Sequence, residues 1–122
     1  MGKIKTIHDK KRNLVTQKCV GAIDIGEVKI KIEEHFRVSP TKNILWDLTE
    51  ADLTGLTSEQ IRKLALQIAA VKPESKSALL VNSALSLGLA NMFATYMDLE
   101  FPNVPLRVFV NQEEAISFVS DG

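Results

Sequence analysis

What this chain lacks narrows its chemistry first. Cys19 is the single cysteine among 122 residues, so no internal disulfide can form and a reducing compartment is the expectation. Six glycines and four prolines are too few for a collagen-like or disordered low-complexity chain. Neither sign of charge is in excess: fifteen basic side chains face fifteen acidic ones, which argues against a dedicated nucleic-acid binder. There is no Gly-x-Gly-x-x-Gly, no phosphate-binding P-loop, no Gly-x-Ser-x-Gly and no Cys-x-x-Cys, so no enzyme of a recognisable class and no cofactor are expected. His8 and His35 are far apart and lack further ligands at metal spacing, and Asp47, Glu50 and Asp52 share one short segment without a recognised cation-loop spacing. No metal is expected.

What is present suits one soluble domain over residues 1–122: 45% hydrophobic residues are enough to build a core at this length. Residues 1–13 are charged and lack an apolar signal-peptide core, so a cytoplasmic location is expected. Residues 77–97 carry no charge over a length that could span a bilayer. Asn82-Ser83 reads as a turn inside that stretch, however, and predicts a buried strand followed by a buried helix rather than a membrane span. Charge is also unevenly placed. Residues 1–20 hold six basic side chains and one acid, a net +5, and the remaining residues hold nine basic and fourteen acidic groups, a net −5. The segment Asp9-Lys10-Lys11-Arg12-Asn13 reads as a solvated hairpin tip, or as a basic patch for an acidic partner.

Two β-compatible runs, residues 4–7 and 14–20, flank that tip, with Gly21 expected to end the second. Ile25, Val28, Ile32 and Phe36 fall on one helical stripe, Asp24 and Glu27 form a capping-box-like start, and Pro40 stops the helix. Residues 43–48 are a nearly continuous apolar run suited to a strand covered on both faces. A polar connector is expected over residues 49–56. Thr57 and Gln60 then form a capping box for a helix with Ile61, Leu64, Ala65, Ile68 and Val71 inward, closed by Pro73. A strand over residues 77–81, a helix over 83–99, a strand over 106–110 and a helix capped by Asn111 complete the chain. The order β-β-α-β-α-β-α-β-α predicts a single-domain α/β fold: a mixed, mostly parallel five-stranded sheet with four helices.

This order, with Ile44-Leu45-Trp46-Asp47-Leu48 leading into Leu53 and the capped helix from Thr57, resembles the SpoIIAA-like family of the STAS-like fold. Leu87-Gly88-Leu89-Ala90-Asn91-Met92-Phe93 and Arg107-Val108-Phe109 before Glu113-Glu114-Ala115 continue the likeness over nearly the whole chain. The resemblance implies a small bacterial cytoplasmic protein. Its fold relatives include anti-sigma-factor antagonists switched by serine phosphorylation and lipid-carrying CRAL-TRIO domains. In the antagonists a strand ending in Asp leads to an Asp-Ser-Ser-Gly-like turn at a helix start. Asp47 matches that strand end and Thr57-Ser58 match the helix start, which makes Thr57 and Ser58 candidate phosphorylation sites. The flanking Asp and Gly are absent, Gly55-Leu56 and Glu59-Gln60 standing in their places, so a plain N-cap is the competing reading.

Two further groups of residues are candidates for function. Ligands in open α/β sheets sit beyond the carboxyl ends of the strands, which would gather Asp47, Thr49, Asn82, Ser83 and Asn111 into a polar rim. The third helix carries an unusually wide apolar arc of Leu85, Leu89, Met92, Phe93, Tyr96, Met97 and Leu99. Its sinks would be a neighbouring helix, a second subunit or an apolar ligand. The leading expectation is therefore a non-catalytic binding or regulatory module working through protein contacts, a homodimer being one form of it. A carrier of an apolar or lipid-like molecule is the alternative, and an enzyme using the rim is a third.

Overall fold

The computed structural model describes residues 2–70 and 75–120; the expected helix-end residues Val71 and Pro73 lie outside them. The element order is β1 (Lys3–Asp9), β2 (Leu14–Ala22), α1 (Ile25–Val38), β3 (Asn43–Asp52), α2 (Ser58–Ala70), β4 (Ser77–Leu80), α3 (Ala84–Glu100), β5 (Leu106–Phe109) and α4 (Gln112–Val119). The five strands form one sheet in the order β1-β2-β3-β4-β5, antiparallel between β1 and β2 and parallel elsewhere. The expected α/β class and element order are those observed.

Strand order decides where the helices lie. The sheet grows in one direction from β2 to β5, so right-handed crossovers carry α1, α2 and α3 to the same face. They bury the larger core there, including Val28, Ile32, Trp46, Leu64, Leu79 and Phe93. Among the described residues the opposite face has only α4, eight residues that pack Ala115 and Val119 onto Leu45, Ala78 and Leu80. Each valine or leucine buried there contributes about 1.5–3 kcal/mol by leaving water, and each alanine less. Local caps agree with this tertiary plan. Asp24 accepts from the Gly26 and Glu27 N–H groups, Ser83 from Ser86, and Asn111 from Glu114. Thr57 Oγ1 accepts from Gln60 N–H at 3.1 Å while Gln60 Oε1 accepts from Thr57 N–H at 3.0 Å, closing the box read from the sequence.

Several element ends shift by one or two residues from expectation, and two of the differences share one cause. β2 does not stop at Gly21. It shifts register between Lys18 and Val20 and continues through Gly21, whose φ of 82° is open to glycine, to Ala22. That extension offers β3 a partner beyond Leu48, pairing Val20 with Glu50, Gly21 with Ala51 and Ala22 with Asp52. Residues 49–52 are therefore strand rather than connector, held by ladder hydrogen bonds although their side chains are mostly polar.

At the other end of β3 sits a buried amide. Asn43 donates from Nδ2 to the Val119 carbonyl at 2.6 Å, accepts at Oδ1 from Lys76 N–H at 2.8 Å, and donates its own N–H to the Asn13 carbonyl at 3.0 Å. One side chain thus ties β3 to the approach to β4 and to the end of α4. The expected membrane-length stretch is divided between β4 and α3, and among the described residues no helix is long and apolar enough to cross a membrane.

Candidate functional site

The polar rim is assembled along one sheet edge, but most of its side chains are engaged, Asp47 with Thr49 inside β3 and Ser83 and Asn111 as helix caps. Asp47 lies level with Leu80 on β4, which in turn lies level with Phe109 on β5. Its Oδ1 accepts from Thr49 Oγ1 at 2.7 Å and Thr49 N–H at 3.1 Å. Ser83 and Asn111 are the N-caps of α3 and α4, and Asn82 is exposed. β3 runs on past this level to Asp52, so Asp47 is inside a strand and not at its end. The strand order never reverses, so the sheet has no switch point of the kind that opens a ligand crevice in α/β proteins. Among the described residues no three His, Cys, Asp or Glu side chains cluster as metal ligands would.

Glu50 turns to Lys18, with Nζ and Oε2 2.9 Å apart, and Asp52 accepts from Thr54 Oγ1 and N–H. The Thr54 hydroxyl holds the Asp52 carboxyl below its usual range. Cys19 is buried, and desolvation first, with the charges of Asp47 and Glu27 after it, pushes its thiol up to about 12. That group is protonated and unreactive at neutral pH. Thr57 Oγ1 is occupied by its capping bond; Ser58, the first residue of α2, is exposed.

Sequence spacing says of His35 only that it is far from His8. The structure buries it near the end of α1, where its Nε2–H donates to the Lys42 carbonyl at 3.0 Å. Desolvation lowers its pKa, the Lys42 carbonyl opposes that shift, and the positive charges of His8 and Lys42 deepen it. A histidine whose folded pKa is depressed stabilises the fold above its unfolded value and loses that contribution as pH falls through the unfolded value toward the folded one. Thermal stability should therefore drop on acidification below about pH 6.5, with this residue supplying a slope of at most about 1.4 kcal/mol per pH unit. His35→Gln keeps a donor for Lys42 without titrating, so melting curves between pH 7.5 and about 5 should show a flatter acid limb for it. Equal acid limbs in the two proteins would mean that His35 does not carry the effect.

The third helix divides its apolar arc in an informative way. Phe93 and Met97 are buried, in line with Ser86 and Ala90, and these four face the sheet. Leu89 and Tyr96 are half-buried, whereas Leu85, Met92 and Leu99 are 53%, 40% and 77% exposed. Between α2 and α3 lies a groove of about 430 Å³ lined by Ser58, Glu59, Ile61, Arg62, Met92 and Tyr96. Arg62 spans it, donating from Nε to the Tyr96 hydroxyl at 3.0 Å. The two partners are 34 residues apart, so no local spacing in the sequence marks the pair. Beneath α2 and α3 is a cavity of about 90 Å³, lined chiefly by hydrocarbon from residues such as Trp46, Leu64, Ile68, Leu79, Ala90 and Phe93.

No protein-family model matches this sequence, and no curated protein matches it. A solved structure does: an uncharacterized protein of the DUF3478 family with a SpoIIAA-like fold, from Shewanella loihica PV-4. The TM-score is 0.62 at 18% identity, over 97% of this chain and 93% of that one. The chain has the SpoIIAA-like, STAS-like fold that its sequence resembles.

Proposed function

We propose that this protein is a non-catalytic cytoplasmic binding module that works through protein contacts made by α3, with a second copy of itself as the first partner to test. The observation that carries this reading is the exposed side of α3. Leu85, Leu89, Met92, Tyr96 and Leu99 follow one another at alternating spacings of four and three residues. That is the d-a-d-a-d spacing of a helix–helix seam, and three of the five side chains, Leu85, Met92 and Leu99, are exposed. The engagement of Asp47 with Thr49 along β3, and of Ser83 and Asn111 in helix caps, supports the non-catalytic part. A turnover abolished by Asp47→Asn would contradict it.

A carrier of an apolar molecule is the second reading, favoured by the cavity under α2 and α3. At about 90 Å³ it is smaller than the cavity of roughly 150 Å³ that admits benzene in an engineered protein core. A larger ligand would require α2 and α3 to separate. Native mass spectrometry of the purified protein distinguishes the readings. A contact module is expected at twice the chain mass at about 10 μM, and Met92→Asp should weaken the dimer about 100-fold by forcing a carboxylate into the seam. A carrier is expected at single mass plus that of an organic ligand. A bare monomer at 10 μM that stays bare at tenfold higher concentration would remove self-association.

A further inference from the structure

The basic hairpin is not absorbed by this reading, and its geometry is distinctive. β1 is an edge strand whose seven residues all pair with β2, from Lys3 opposite Val20 to Asp9 opposite Leu14, without a register shift. Antiparallel pairing leaves every second residue with its N–H and C=O turned to the open side. Natural edges are commonly blunted by proline, a bulge or a covering segment. Among the described residues β1 has none of these, and its sequence Lys-Ile-Lys-Thr-Ile-His-Asp contains no proline.

The side chains add a sign of charge. Ile4 packs into the core on the α1 side, so Lys3, Lys5 and Ile7 alternate onto the other face. That face is open above β1 and the later part of β2, because α4 packs over Leu45, Ala78 and Leu80 of β3 and β4 and reaches only Leu14 at the start of β2. Ile7 and Val20 are each 43% exposed there. Arg12 is paired with Asp9 and Lys18 with Glu50, whereas Lys3, Lys5, Lys10 and Lys11 make no ion pair among the described residues.

We propose that β1 is a docking strand for an extended, acidic segment of a partner protein, which adds a sixth strand to the sheet. The outward N–H and C=O groups call for another backbone about 4.8 Å away, a demand that a lipid headgroup or a nucleic-acid phosphate cannot meet along a strand. Alternate carboxylates of the added strand meet Lys3 and Lys5, and intervening β-branched residues cover the edge. Lysines on an edge strand also guard it against indiscriminate pairing. Protection of the edge and choice of partner are one device.

The test uses the intact protein and a fluorescein-labelled peptide of about eight residues alternating Glu and Val, followed by anisotropy and by amide exchange in NMR. Binding is expected to weaken about tenfold between roughly 50 and 300 mM salt. A similar loss of about tenfold or more is expected for the Lys3→Glu, Lys5→Glu double variant, whose exposed substitutions leave the fold intact by circular dichroism. Methylating alternate peptide amides should abolish binding, and the outward amides of β1 should exchange more slowly in the complex. The proposal is overturned if the peptide does not bind at millimolar concentration, or if the methylated peptide binds as well as its parent. It is equally overturned if the double variant binds unchanged, or if duplex DNA or phosphatidylserine vesicles bind more tightly through the same lysines.

Discussion

Asn43→Leu is expected to lower stability by about 2–5 kcal/mol, a shift in melting temperature on the order of 10–20 °C for a domain of this size. Leucine fills nearly the same volume at a site only 3% exposed, so the loss is not one of packing. It comes from the two groups left behind. The Val119 carbonyl loses its donor and the Lys76 N–H loses its acceptor, and each unpaired group costs about 1–3 kcal/mol when it cannot reach water. Asn43→Asp should be no milder, because it keeps an acceptor for Lys76 but turns a carboxylate oxygen toward the Val119 carbonyl. Urea denaturation is the measurement, read as a fall in the midpoint at constant slope. A loss below about 1 kcal/mol would show that water replaces the amide and that the link between β3 and α4 is not stabilising.

Why Asn43 escaped the sequence, while Thr57 and Gln60 did not, is a matter of distance along the chain. A capping box is closed within three residues and is written in the residue types themselves. Asn43 reaches partners 33 and 76 residues away, and nothing near it marks the bonds. The same distinction governs β3. Its apolar half, Asn43 through Leu48, is covered by helices on both faces and reads as a buried strand. Its polar half, residues 49–52, is strand only because β2 runs beside it through Gly21, and a ladder of backbone bonds leaves little trace in side-chain chemistry. Helix order and crossover count were legible because hydrophobic period is local. The candidate rim was legible as a position along the sheet edge, but its chemistry was not. Only the structure discloses that Asp47 spends its oxygen on Thr49 and that no strand reversal opens a crevice there.

Met97→Ala is expected to cost about 2–4 kcal/mol, while Leu99→Ala two residues further on should stay within about 0.5 kcal/mol of the parent. Both residues belong to the wide arc that hydrophobicity alone assigns to one face of α3. Met97 is 1% exposed and joins the core with Phe93 and Ala90, whereas Leu99 is 77% exposed. The buried line through Ser86, Ala90, Phe93 and Met97 is turned by roughly 70° from the centre of the apolar arc. Ser86 and Ala90 explain the turn: small side chains let a helix approach the sheet closely, and a reading weighted by hydrophobicity gives them no pull. Stability and recognition consequently occupy different sides of one helix. Met97→Ala should lower the urea midpoint yet leave the oligomeric state of the folded protein in native spectra unchanged. Leu99→Ala should do the reverse, weakening any α3-mediated dimer without moving the midpoint of the monomer. If instead the two substitutions destabilise the isolated chain equally, the exposed side of α3 is part of the core and cannot be the seam on which the binding function rests.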